Sequence, residues 1–157
     1  MAMNIRKYYI ISSVITVSLF LLWLYQPVKM IFSERNIGLD LVVEHFPLSD
    51  QGRISWFLKH RQEIEDKYNT SGEPFYSITI WDIGDGFKTL DHNTHDDLYC
   101  FNQIKVKDNC IEKNILLNVS FYNGGVYFSP DGGNYKYRLD KNGNVEEFTE
   151  ENKIIVY

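Results

Sequence analysis

The sequence predicts an α+β protein, in which one N-terminal transmembrane helix is followed by a small domain with one amphipathic helix packed on an antiparallel β-meander. Three observations lead to this prediction: an uncharged apolar run near the N-terminus, one stretch of helical periodicity, and a series of short alternating segments separated by glycine-rich turns. With 157 residues, 44% of them hydrophobic, the chain can hold one compact core but hardly two independent domains.

The uncharged run extends from Tyr8 to Tyr25 and follows the basic pair Arg6 and Lys7. At 1.5 Å per residue a helix of this length covers about 27 Å, which is close to the ~30 Å hydrocarbon core of a bilayer. The basic residues before the run favour a cytoplasmic N-terminus. The predicted divisions are a cytoplasmic N-terminus at 1–7, a transmembrane helix at 8–25, a juxtamembrane connector at 26–36 and an exported α+β domain at 37–157.

Two other interpretations of the run remain. A cleaved signal peptide shares the basic start, but its apolar part normally has about 7 to 15 residues and ends in a small-x-small cleavage site, which is missing here. A buried helix of a soluble protein would carry a polar face, and only Ser12, Ser13, Thr16 and Ser18 interrupt the run.

The two cysteines, Cys100 and Cys110, predict a disulfide bond. Both lie in the part of the chain expected to be exported, and they form no CxxC pair that would indicate a metal or redox site. The alternative is two buried free thiols in a reducing compartment.

The distribution of charge along the chain indicates which classes of binding partner to expect. Three of the 16 basic residues and none of the 21 acidic residues precede residue 30, so the rest of the chain carries a net charge of −8. This sign repels phosphate backbones, and we therefore expect no nucleic-acid partner. An acidic domain suits a basic protein or a cation instead.

One amphipathic helix is predicted to begin at a cap formed by Ser49 or Asp50, and the NTSG sequence that begins at Asn69 ends it. The residues that recur at helical spacing on one side are mostly apolar: Ile54, Phe57, Leu58, Arg61, Ile64 and Tyr68.

Strands are predicted around this helix from alternation and turn signals. The turns are DIGDG, NGG, PDGG and DKNGN, of which the last three are typical of hairpins. The predicted strands are 39–43, 75–81, 98–101, 115–122, 126–129, 134–139 and 145–149.

The polar segment 81–97 is the densest polar stretch of the sequence, and its composition could bind zinc or another divalent cation. Its possible ligands are Asp91, His92, His95 and Asp96. The two histidines are three residues apart without an HExxH pattern or a defined third ligand, so a solvated loop explains the segment better. No GxSxG, GxxxxGK[ST] or GxGxxG motif occurs. We therefore expect no catalytic residues and no cofactor.

The C-terminal tyrosines are the better functional lead. Tyr122, Tyr127, Tyr135 and Tyr137 lie on the predicted hairpins, and tyrosine is enriched at protein-binding surfaces. They form the candidate binding face, with the alternative that half of them face the core.

Several segments together resemble a known family. The blocks ITIWDIGDGFK, DDLYCF, NCIEKNILLNV and DKNGNV, with the basic start and the apolar run, resemble domain of unknown function 943, a family of enteric-bacterial membrane proteins. The resemblance covers most of the chain. It implies one inner-membrane span with a small periplasmic domain, and it implies no activity, cofactor or catalytic residues.

Three functions are compatible with these features. The first is a single-pass inner-membrane protein whose non-catalytic periplasmic domain binds another protein, for example an immunity protein that neutralises a periplasm-acting toxin. The second is an envelope metal-dependent hydrolase that uses the Asp/His loop at 82–97. The third is an accessory subunit of a membrane complex. In each case the lipid bilayer is the expected partner of residues 8–25.

Overall fold

The computed structural model describes residues 2–24, 26–70, 75–91 and 97–148, with the side chains of the first helix described over residues 7–18. In this part of the chain there are two helices and ten strands. In chain order they are α1 (Ala2–Leu24), β1 (Lys29–Arg35), β2 (Leu39–Glu44), α2 (Asp50–Tyr68), β3 (Phe75–Asp82), β4 (Lys88–Thr89), β5 (Leu98–Cys100), β6 (Asp108–Glu112), β7 (Ile115–Tyr122), β8 (Gly125–Pro130), β9 (Tyr137–Leu139) and β10 (Val145–Glu147).

The predicted transmembrane helix at 8–25 is wrong. The N-terminal segment is helical, but no helix among the described residues is long and apolar enough to cross a membrane. Helix α1 extends over Ala2–Leu24, and this finding concerns its described residues. It also contains hydroxyl side chains, and that of Thr16 donates a 2.9 Å hydrogen bond to the carbonyl of Ser12.

The main sheet is mixed, which corrects the predicted antiparallel meander. Its seven strands lie in the order β1-β2-β3-β7-β8-β9-β10, and β2 pairs with β3 in parallel. The physical reason is α2, which connects these two strands and returns the chain to the end of the sheet from which β2 starts. The remaining pairs of this sheet are antiparallel. Strand β1 lies within the segment 26–36.

The amphipathic helix is present as α2 and begins at the expected cap. The Ser49 side chain accepts a 3.1 Å hydrogen bond from the backbone N–H of Gly52, and Asn69 ends the helix in a left-handed conformation with φ of 51°. The helix packs on one face of the main sheet, which we call the near face. Phe57 is fully buried there, with its ring centroid 6.2 Å from that of Phe128 on β8.

The opposite face of the main sheet, the far face, is partly covered by a second sheet of order β4-β6-β5. A second, smaller core fills the space between the two sheets and contains Val42, Trp81, Phe101 and Ile111. The predicted disulfide between Cys100 and Cys110 is present and joins β5 to β6 at directly paired positions. The molecule therefore has α2 on the near face and a small sheet on part of the far face.

Candidate functional site

Among the described residues, the second sheet covers the far face at one end, over β1, β2 and the end of β3, where the second core lies. Further along, the strand register places one row of side chains from each strand on the uncovered part, because alternate residues of a strand point to opposite faces. We call this part the open face. Its members are Phe75, Ser77 and Thr79 on β3, Asn118, Ser120 and Tyr122 on β7, Tyr127 and Ser129 on β8, and Arg138 on β9.

Exposed aromatic rings lie along the open face in two groups. At one end Phe75 and Tyr122 are 63% and 53% exposed, and their ring centroids are 5.5 Å apart. On β8 the ring of Tyr127 lies 5.5 Å from that of Tyr135 and 5.4 Å from that of Phe148. The rings support one another at separations typical of aromatic pairs, so they form preorganised contact surfaces.

Three of the four tyrosines of the predicted binding face belong to these two ring groups, and the fourth, Tyr137, does not. Tyr122 and Tyr127 are on the open face, and Tyr135 packs against Tyr127. Tyr137 pairs with Phe128 and therefore lies on the near face, where its hydroxyl donates a 3.3 Å hydrogen bond to Asp50 of α2. Desolvation, followed by the Asp50 carboxylate, raises the pKa of Tyr137. This residue belongs to the helix–sheet contact.

Polar side chains fill the centre of the open face and bond to one another. The Asn118 side-chain amide donates a 3.1 Å hydrogen bond to Oγ1 of Thr79, and the Ser120 hydroxyl donates one of 3.1 Å to Oδ1 of Asn118. These bonds hold the Asn118 amide in one orientation. The neighbouring Ser129 is only 2% exposed.

A cavity of about 340 Å³ opens beside this polar centre, at the turn between β8 and β9. Amide, hydroxyl, glycine and aromatic groups make up its lining, which carries no charged side chain among the residues that the structure describes. The lining consists of Asn118, Ser129, Gly132, Gly133, Asn134, Tyr135 and Phe148.

At the covered end of the far face, Asp40 on β2 holds the two sheets together. Its Oδ1 accepts a 2.7 Å hydrogen bond from the indole N–H of Trp81, and its Oδ2 accepts one of 2.9 Å from the hydroxyl of Tyr99 on β5. The Trp81 and Tyr99 rings stack with centroids 4.4 Å apart. Because each oxygen of Asp40 accepts a hydrogen bond from one of these side chains, this carboxylate stabilises the contact between the two sheets.

Glu34 lies directly opposite Asp40 in the β1–β2 register and is only 5% exposed. Its Oε1 accepts a 3.1 Å hydrogen bond from the backbone N–H of Asn102. Burial, the hydrogen bond to Asp40, and the Asp40 and Glu34 charges raise the pKa of Tyr99 to about 12. The members of this cluster are distant in the chain, so no local spacing in the sequence predicts their proximity.

The proposed metal ligands His92, His95 and Asp96 lie outside the described residues, so the structure gives their loop no geometry. Asp91 is exposed at the edge of that gap. Within the described ranges, no group of three or more His, Cys, Asp or Glu side chains is placed to hold a metal ion.

In a comparison with family models, residues 3–149 match a family described as "enterobacterial putative membrane protein (DUF943)". No curated protein and no solved structure matches the chain. The match covers nearly all the elements described above, including both sheets and the cysteine pair.

Proposed function

This chain belongs to the family of domain of unknown function 943, and we propose that its folded part is a non-catalytic binding module that docks another protein on the open face. The observation that carries the proposal is the pair of exposed rings, Phe75 and Tyr122, on a sheet face that the second sheet leaves uncovered. Aromatic rings with few rotatable bonds bury a large area at low entropic cost, and they are enriched at protein interfaces.

The partner that we propose is a basic protein. The chain after residue 29 carries a net charge of −8, so it attracts a positively charged surface over the Debye length and raises the rate of encounter. Tyr127 then extends the apolar contact along β8.

The proposed location is the periplasmic side of the bacterial inner membrane. The disulfide between Cys100 and Cys110 supports an oxidising compartment, since thiols in the cytosol are kept reduced. The family description supports an association with a membrane.

The non-catalytic part of the proposal is supported by the chemistry of the open face. Its side chains are rings, hydroxyls, amides and one guanidinium, and Arg138 donates to Glu146 at 2.6 Å. General acid–base catalysis needs a titratable group within reach of a bound substrate, whereas the side chains at the centre of this face are the Asn118 amide and the Ser120 and Thr79 hydroxyls.

The test is capture of partners by the full-length chain from enterobacterial membranes with a crosslinker. We expect the double variant Phe75→Ala and Tyr122→Ala to reduce recovery of the specific partner at least tenfold, while Leu48→Ala, which removes a side chain that is 90% exposed elsewhere, leaves it unchanged. Equal recovery with both variants would place the contact on another surface and refute the proposal.

We further propose that the partner is a toxin that acts in the periplasm, so that the chain is an immunity protein. Its small acidic domain supports this form of the function, because neutralisation by tight binding needs charge complementarity and no catalysis. Cells that produce the chain should survive exposure to the captured toxin, and cells that produce the Phe75→Ala and Tyr122→Ala variant should not. If cells that lack the chain also survive exposure to the toxin, the immunity role is refuted. The binding role is then judged by the capture experiment alone.

A further inference from the structure

We propose that the cavity between β8 and β9 binds a neutral saccharide. The site goes beyond the protein contact proposed above, because its lining lies beside Asn118 and the 131–136 turn and does not include Phe75 or Tyr122.

The lining has the hydrogen-bonding chemistry that a sugar needs. Asn118 and Asn134 each offer an amide donor and acceptor, and Ser129 offers a hydroxyl, which match the alternating donor and acceptor character of vicinal hydroxyl groups. Asn118 is already oriented by Thr79 and Ser120, and each end of its amide retains capacity for a second bond. A polar group that is fixed before binding costs less entropy when the ligand arrives.

The lining also has the apolar surface that the C–H face of a sugar ring packs on. Tyr135 is 42% exposed and Phe148 is half-buried, and both rings are held in place by contact with Tyr127. A sugar ring can pack on the aromatic side chains and bond to the fixed amide groups at the same time. A purely apolar ligand would leave those amides without hydrogen-bond partners, so the site favours the sugar.

The chemistry of the described lining residues favours a neutral ligand. Their amide and hydroxyl groups bond to neutral hydroxyl groups, whereas an ionised ligand gains most from a group of opposite charge. The net charge of −8 after residue 29 further disfavours an anionic ligand. The volume of about 340 Å³ is at the lower end of small-molecule sites, which suits one or two sugar rings.

Gly133 provides a way to fill the cavity without disturbing the fold. A Cβ at this position would meet no atom within 4 Å, and the glycine is not in the positive-φ region. The adjacent Gly132 is different, since its φ is 68° and a Cβ would lie 2.8 Å from the side chain of Ile115. A larger side chain is therefore tolerated at Gly133 and not at Gly132.

The experiment measures binding of sugars to the full-length chain by isothermal titration and ligand-observed NMR, in a detergent without a sugar headgroup. The probes are glucose and N-acetylglucosamine as neutral ligands, with glucuronic acid and glucosamine as charged controls of the same size. We expect the neutral sugars to bind at least tenfold more tightly than the charged ones. Equal binding of charged and neutral sugars, or no binding of either neutral sugar, would overturn the inference.

Variants locate the site. We expect Gly133→Leu and, separately, Asn118→Ala to weaken binding of the neutral sugars at least tenfold, whereas Gln103→Leu on an exposed loop does not. Thermal unfolding of each variant shows whether it is folded, and Asn118→Ala keeps the test valid if Gly133→Leu is unstable. Unchanged affinity in both folded variants would overturn the inference.

Sedimentation with insoluble cell-wall glycan distinguishes the two sources of such a ligand. A polymeric source is indicated if the chain sediments with the glycan and Gly133→Leu does not, and a free sugar is indicated if only soluble ligands bind. Capture of the protein partner is measured in parallel. If the chain captures its protein partner but binds no sugar, the saccharide site alone is refuted. If the chain binds sugar but captures no protein partner, the protein contact alone is refuted.

Discussion

The Tyr99 hydroxyl donates a 2.9 Å hydrogen bond to Oδ2 of Asp40, which lies 59 residues earlier in the chain. Because Tyr99 is on the small sheet and Asp40 on the main sheet, this bond fastens one sheet to the other. The indole N–H of Trp81 donates to the other carboxylate oxygen, Oδ1, and the Trp81 and Tyr99 rings stack on each other. In the β2–β3 register Asp40 is paired with Thr79, so this contact lies next to the open face.

The variant Tyr99→Phe should lower the free energy of unfolding by about 1.5 kcal/mol, because a hydrogen bond to a charged acceptor is lost while the ring is retained. Chemical denaturation of the full-length chain measures the difference. The control is Tyr122→Phe, which removes a hydroxyl from a ring that is 53% exposed. If both variants lose the same stability, the Tyr99 bond has no particular role.

The same bond predicts a loss of stability at high pH. The pKa of Tyr99 is raised from 10.0 to about 12, so its contribution is fully present below pH 10 and disappears as the pH rises from 10 through 12. The melting temperature should fall over that range, and it should fall less in Tyr99→Phe. Ultraviolet titration of the tyrosines follows the ionisation directly. An equal fall in the melting temperatures of the two proteins over this pH range would contradict the prediction.

Replacement of both Cys100 and Cys110 by serine should lower the free energy of unfolding by about 3 kcal/mol, because the disulfide closes a loop of about 11 residues in the unfolded chain. Denaturation of the variant and of the oxidised protein gives the difference. Treatment of the oxidised protein with a reductant should reproduce it. A double variant as stable as the oxidised protein would show that the small sheet needs no covalent support.

The variant Phe57→Ala should lower the free energy of unfolding by about 3–5 kcal/mol, since it opens a cavity between α2 and β8. Phe75→Ala is a matched control, because the same atoms are removed from a ring that is 63% exposed on the open face. We expect this control to cost less than about 1 kcal/mol. Similar losses at both positions would mean that α2 is not the main contributor to the core.

Local features of the chain were predictable. The cap at Ser49 and the left-handed end at Asn69 were both indicated by short sequence signals. The β7–β8 hairpin was indicated by NGG, and Asn123 and Gly124 have the positive φ values of 48° and 75° that its tight turn requires. Such features depend on neighbours within a few residues, whose identity the sequence displays directly.

The parallel pairing of β2 with β3, the strand β1 and the second sheet were decided by tertiary structure alone. Each depends on contacts between distant segments, as in the bonds from Trp81 and Tyr99 to Asp40, and local periodicity carries no information about them. The same is true of the tyrosines. Their residue type and their position on the predicted hairpins made them candidates for a binding face. Only the strand register, in which Tyr137 pairs with Phe128, separates Tyr137 from Tyr127 on the open face.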